Sequence, residues 1–147
     1  MIEKKLEELD GSEIYMRNHS MAIRDNGRYL KSNTKVGCCI RSWDGNEYET
    51  QDGYLYHDGC NFDMEWGLAI HAEVSAITNM IVNFPPNRVV DACYIYCERE
   101  YFTSCGNCRD WLHHFSKQNI DLSVYIDNGK KIMIFKLGEL IPHYPRR

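Results

Sequence analysis

No stretch of this sequence stays apolar for the roughly 18 residues that a membrane-spanning helix requires. The first residues, MIEKKLEELDG, contain no apolar segment of the kind a secretory signal carries. Surplus basic charge is also missing. The 17 Lys and Arg stand against 21 Asp and Glu, a net charge of -4, which disfavours a nucleic-acid strand as partner. There are no internal repeats, linkers or low-complexity segments. Hydrophobic residues at 44% and charged residues at 26% exclude wholesale disorder. The seven cysteines are an odd number, so a closed disulfide framework is not expected. The thiols read as core fillers, metal ligands or a mixture. These features predict one soluble, cytoplasmic domain over residues 1–147.

The pattern of apolar positions predicts the elements. Ile2, Leu6 and Leu9 at helical spacing suggest a short helix, broken at Asp10-Gly11. Ser12 is placed to cap a second helix running to about Asp25. Val36–Trp43 reads as a buried strand, Asp44-Gly45 as a hairpin turn, and Glu47–Tyr56 as the returning strand. Ile70, Val74, Ile77 and Ile81 recur at intervals of three and four, the signature of an amphipathic helix that Pro85-Pro86 stops. Val89–Cys97 predicts a central strand. Asn107–Gln118 predicts a helix with Trp111, Leu112 and Phe115 on its apolar side and His113 and His114 on its polar side. Leu122–Ile126 and Ile132–Phe135 predict two further strands around Asp127-Asn128-Gly129. The sum is an α/β fold, a three-layer α/β/α sandwich with a five-stranded mixed sheet.

Two short strings carry chemistry: His71-Ala72-Glu73 opening one predicted helix and Cys105-Gly106-Asn107-Cys108 opening the next. The partial positive charge of a helix N-terminus stabilises a thiolate. Cysteines three apart at a helix start lie on one face and can grip one ion. One imidazole and two thiolates supply three ligands where zinc prefers four, so His71, Cys105 and Cys108 suit a zinc ion that keeps one position open. Glu73, two residues from His71, borders the same helix end and is the candidate proton carrier. This combination resembles the H-x-E…P-C-x-x-C signature of zinc deaminases, with Ser104 where the signature has proline. Alone, C-x-x-C also suits a redox pair, or a structural zinc site completed by Cys93 and Cys97. The first lacks a thioredoxin-like context, and the second would need two thiols about 13 Å apart on a regular strand to meet.

Other segments strengthen the match. The sequence resembles the cytidine deaminase family in Ser32-Asn33-Thr34-Lys35-Val36-Gly37, in Gly59-Cys60-Asn61-Phe62-Asp63, in the histidine form of the zinc helix from His71 to Ile77, in Thr103–Arg109, and in the closing Glu139-Leu140-Ile141-Pro142. The resemblance implies a cytidine-deaminase-like fold, one zinc per chain on His71, Cys105 and Cys108, and Glu73 as the catalytic acid and base. It also implies substrate contacts: Asn61 and Asp63 on the sugar, the backbone of Ala72 on the amine, and Thr34 beside the base. Glu65 rivals Asp63, because Asp63-Met64-Glu65-Trp66 offers a second register. A homotetramer is implied too, and 18 aromatic residues (10 Tyr, 5 Phe, 3 Trp) are many for one small core.

Three departures bear on function. Thr34 replaces a pocket phenylalanine. Ser104 replaces a proline and is placed to cap the following helix. Val74 replaces an arginine that offsets charge in three-cysteine members, a task His71 removes by replacing one thiolate. Arg109 is placed to donate to a thiolate or to form a surface ion pair. The function implied is zinc-dependent hydrolytic deamination of cytidine or deoxycytidine to uridine or deoxyuridine and ammonia, as in pyrimidine salvage. The competing readings are a deaminase of another aminated base (an aminonucleoside antibiotic, a nucleotide or polynucleotide cytosine) and a catalytically silent zinc-stabilised binding module.

Overall fold

A computed structural model of the chain describes residues 1–29, 34–45, 53–63, 69–99 and 104–141. Six strands form the main sheet: β1 (Ile2–Lys4), β3 (Gly37–Trp43), β4 (Leu55–Cys60), β7 (Val89–Tyr96), β8 (Ser123–Asp127) and β9 (Ile132–Lys136). Their order is β1-β9-β8-β7-β3-β4, with β7 and β8 parallel and the other neighbours antiparallel. Three two-residue strands, β2 (Arg28–Tyr29), β5 (Phe62–Asp63) and β6 (Ala69–Ile70), make a small separate sheet. The helices are α1 (Gly11–Ile23), α2 (Ala72–Asn83), α3 (Gly106–Phe115) and the single turn α4 (Leu137–Leu140).

The α/β sandwich of three layers is present, but the main sheet has six strands and not five. The extra strand comes from the segment whose spacing suggests a helix. Ile2–Lys4 pairs with β9, only Leu6–Glu8 turns as a 3-10 helix, and Leu9 enters the core. Three apolar residues among many charges do not sustain a helix against a free strand edge. Among the described residues the returning strand of the hairpin is Leu55–Cys60; the expected start at Glu47 lies in residues 46–52, outside those described.

Alternation along the strands feeds two cores. Cys38 and Ile40 of β3 face one side with Val124 and Ile126 of β8, under α2 and α3. Cys39 of β3 and Tyr125 of β8 face the other side, under Met16 of α1. In β7 the alternation changes phase. Cys93, Ile95 and Val90 share one core while Ala92 and Tyr94 share the other. A register shift between Arg41 and Ser42 of β3 makes Asp91 the extra residue of a bulge, and Arg41 holds its carboxylate from Nε at 2.9 Å.

α1 is capped by Asp10 rather than Ser12. Asp10 accepts from the Glu13 amide while Glu13 accepts from the Asp10 amide, a reciprocal box. Ser12 sits inside the first turn and bonds the Tyr56 hydroxyl instead. α2 is amphipathic as expected, with its stripe rotated. Ala72, Glu73, Ala76, Ile77 and Met80 are buried, whereas Ile70 and Ile81 are exposed. Small residues turn inward because the helix lies directly on Gly59 of β4. A Cβ there would stand 2.2 Å from the Ala76 nitrogen and 2.4 Å from the Ala72 oxygen. On α3, Leu112 is buried and Trp111 and Phe115 pack on the core as expected, but His113 is buried rather than on the polar side. No helix among the described residues is long and apolar enough to cross a membrane.

Candidate active site

β7 and β8 run parallel and end together at Tyr96 and Asp127. The carboxyl ends of parallel strands are where α/β sheets place their ligands. α3 follows β7, and its N-terminus meets that of α2.

His71 is the N-cap of α2 with an extended backbone (φ -79°, ψ 155°), and its side chain makes no capping bond. The imidazole is therefore available to turn away from its own helix. Cys105 is the N-cap of α3 in the same conformation (φ -77°, ψ 166°). Its sulfur does what a capping oxygen usually does and accepts from the Cys108 amide at 3.4 Å. Ser104, expected as the cap, stands one residue early and is buried; its hydroxyl faces the Cys105 carbonyl.

The outcome is a triangle of donors. His71 Nδ1 lies 3.0 Å from Cys105 Sγ and 3.3 Å from Cys108 Sγ, and the two sulfurs are 3.3 Å apart. His71 is exposed, Cys105 half-buried and Cys108 fully buried, so the triangle opens to solvent on one side. Tetrahedral zinc, with bonds of about 2.0–2.3 Å, separates its ligands by about 3.5–3.8 Å. The triangle reaches that size by opening a few tenths of an ångström per edge. Two thiolates and an imidazole at two helix N-termini fit zinc in donor type as well as in spacing. No other group of three such ligands occurs among the described residues. Cys93 is occupied elsewhere: its sulfur packs 3.6 Å from that of Cys38 in the core.

Glu73 lies in the first turn of α2 and is 2% exposed. Burial pushes its carboxyl above the ordinary carboxylate range, against the hydrogen bond with Cys108, its own backbone amide and the charge of His71. Burial and the Glu73 charge in turn push the Cys108 thiol up. A dication on that sulfur would oppose both effects.

The residues expected at the substrate fall into two places. Thr34 and Asn61 meet: Asn61 Nδ2 donates to the Thr34 carbonyl at 2.8 Å. Thr34 lines a cavity of 510 Å³ together with Arg24, Lys35, Cys97 and Arg99. Asp63 is half-buried on β5, paired with Tyr29 and Ala69. Ala72 is fully buried, its carbonyl packed over Gly59. Glu65 lies outside the described residues. Val74 is half-buried on α2. Arg109 donates from Nη1 to the Leu140 carbonyl at 2.8 Å. That bond ties the turn that carries Cys105 and Cys108 to α4, and the only hint of it in the sequence is that both strings belong to the resemblance.

Comparison with known proteins agrees with this geometry. The chain is similar in fold to cytidine deaminase from Burkholderia pseudomallei, at 22% identity and a TM-score of 0.69, over 93% of this chain and 100% of that one. It is likewise similar to the E47D mutant cytidine deaminase from Mycobacterium tuberculosis, at 18% identity and a TM-score of 0.65, over 94% and 98% of the two chains. No curated protein sequence matches it significantly. The sequence profile of the cytidine and deoxycytidylate deaminase zinc-binding region matches residues 12–124. That match spans well over half of the sequence and includes all three zinc-type donors and Glu73, and on it the chain belongs to the family of cytidine and deoxycytidylate deaminases.

Proposed function

We propose that the chain deaminates free cytidine or deoxycytidine by hydrolysis, giving uridine or deoxyuridine and ammonia. His71, Cys105 and Cys108 hold one zinc ion in this reading. The observation that carries it is the position of Glu73, a buried carboxyl hydrogen-bonded to Cys108 and two residues from His71. A zinc site with a purely structural task gains nothing from such a neighbour.

Bound zinc supplies Lewis acidity that lowers the pKa of a water ligand toward neutrality. The chain's own residues handle the protons. The reaction replaces the 4-amino group by oxygen from water, so one proton must reach ring N3 and another the departing amine. The Glu73 carboxylate takes each proton from the attacking water and delivers it, first to N3 and then to the amine, and ends as it began. The first turn of α2 carries that carboxylate and sets where it stands. The main chain of Ala72 is the contact for the amine, and Asn61 and Asp63 are the contacts for the sugar.

Thr34 favours a second reading within the same chemistry. A small polar residue in place of an aromatic wall leaves room for a modified nucleoside, including an aminonucleoside antibiotic. Assembly as a cytoplasmic homotetramer accompanies the first reading, and light scattering that returned the mass of a single chain would count against it. Substrate is tested by incubating pure protein with cytidine, deoxycytidine and deoxycytidylate and following ultraviolet absorbance. Turnover of the two nucleosides, with little on the nucleotide, is expected. Activity on the nucleotide alone would overturn the assignment to free nucleosides.

A further inference from the structure

The two helix turns that carry the zinc-type donors are held in different ways. α2 lies directly on β4, so that a Cβ at Gly59 would stand 2.2 Å from the Ala76 nitrogen and 2.4 Å from the Ala72 oxygen. Packing that close leaves the turn after His71 no room to shift. The first turn of α3 has no such seat on its outer side. Gly106, Asn107 and Asp110 are exposed, and a Cβ at Gly106 would meet nothing within 4 Å. Cys108 and Leu112 bury one side of the helix. Apolar burial is non-directional, so it sets the depth of a helix more firmly than its rotation.

Arg109 supplies a directional hold. Its backbone amide donates to the Cys105 carbonyl at 3.0 Å and closes the turn that carries both cysteines, while its Nη1 donates to the Leu140 carbonyl at 2.8 Å. Leu140 is the last residue of α4, where carbonyls have no partner within the helix. The acceptor is itself fixed. Leu137 is fully buried, its amide donates to the Leu122 carbonyl at 2.9 Å, and the Gly138 amide donates to the Ile120 carbonyl at 2.8 Å. A hydrogen bond from a guanidinium is stronger and shorter than one between neutral groups, so it suits a tether between two helices.

We propose that Arg109 is a positioning residue for the metal: its bond to the Leu140 carbonyl fixes the rotation of the first turn of α3, and with it the direction in which Cys105 and Cys108 present their sulfurs to His71. This inference rests on the zinc site of the deaminase reading above.

The test needs no nucleoside. Zinc affinity is measured by competition with a chelator. Donor geometry is read from the visible spectrum of the cobalt(II)-loaded protein, whose bands follow the arrangement of sulfur and nitrogen around the metal. Arg109→Met keeps the aliphatic stem and removes the donors. It should bind zinc about 10- to 100-fold more weakly than wild type, the usual loss when the support of a ligand is removed, and its cobalt bands should shift. Affinity within about twofold of wild type would overturn the proposal. A weaker affinity with an unchanged cobalt spectrum would overturn it as well, because the loss would then trace to the charge of Arg109 and not to the placement of the sulfurs. Should the methionine variant fold poorly, Gly138→Ala carries the test from the far end of the tether. A Cβ there would stand 3.2 Å from the Cβ and the carbonyl oxygen of Ile120 and press α4 away by a few tenths of an ångström. Shifted cobalt bands and a fraction of the full loss, about threefold in zinc affinity, are expected. A Gly138→Ala protein indistinguishable from wild type would overturn the tether. Wild-type protein that binds neither metal counts instead against the zinc site of the deaminase reading.

Discussion

Glu13 and Glu73 are both glutamates in the first turn of a helix, on opposite faces of the same sheet, 3% and 2% exposed. Burial acts upward on the pKa of each, and both feel a helix N-terminus. Around Glu13 the donors win. The Asp10 amide, the Tyr125 hydroxyl and Lys4, with Nζ at 3.0 Å, hold its carboxyl below the ordinary value of 4.5. Around Glu73 they do not, because its side-chain partner is a thiol. Asp127, on the face of Glu13, is satisfied in the same way by Arg17, Tyr94 and the Gly129 amide. Burial therefore does not decide what a carboxylate does; the supply of donors does. The saturated glutamate stabilises the fold, and the under-supplied one is left able to exchange a proton.

Exchanging the two residues separates these roles. Glu73→Gln should retain fold and zinc, since the amide has the same shape, yet lose about 10²–10⁴-fold in deamination because it cannot carry protons. Turnover close to normal in the zinc-loaded variant would break the comparison. Glu13→Gln should leave deamination within about threefold and reduce unfolding free energy by about 1–3 kcal/mol, read from denaturant midpoints. The smallest effect lies in acid. Because the folded-state pKa of Glu13 is lowered, the unfolded chain binds more protons below pH 4.5. The stabilisation is complete above that pH and is lost as pH falls through the folded value. Glu13→Gln should flatten that part of the stability curve, and an acid limb identical to wild type would assign the slope to other groups.

The contrast also marks what was legible in the sequence. His71, Cys105 and Cys108 could be brought together on paper because each opens a helix after a strand or loop, a local pattern that fixes where the side chain starts. The layers followed from the order of helical and strand segments along the chain. What escaped depended on neighbours distant in sequence. The inward stripe of α2 was rotated by its contact with Gly59, which no periodicity within the helix reports. The strand at Ile2–Lys4 forms because β9 offers an edge 130 residues away. The bulge at Asp91 is held by Arg41, and Asn61 is engaged by a segment 25 residues earlier. His113 is buried although its position on the helix suggested the polar side. The capping box that joins Glu13 to Asp10 went unread in favour of Ser12, and the pairing of Glu13 with Lys4 and Tyr125 was hidden as well.

The central claim is that deamination depends on one zinc ion held by His71, Cys105 and Cys108. Protein stripped with a chelator and titrated with zinc, while cytidine absorbance is followed, tests it most directly. Turnover should rise in proportion to added zinc and level off at one ion per chain, and Cys108→Ala should give no rise. Full turnover in the stripped protein, or a zinc-dependent rise in Cys108→Ala equal to that of the wild type, would contradict the account.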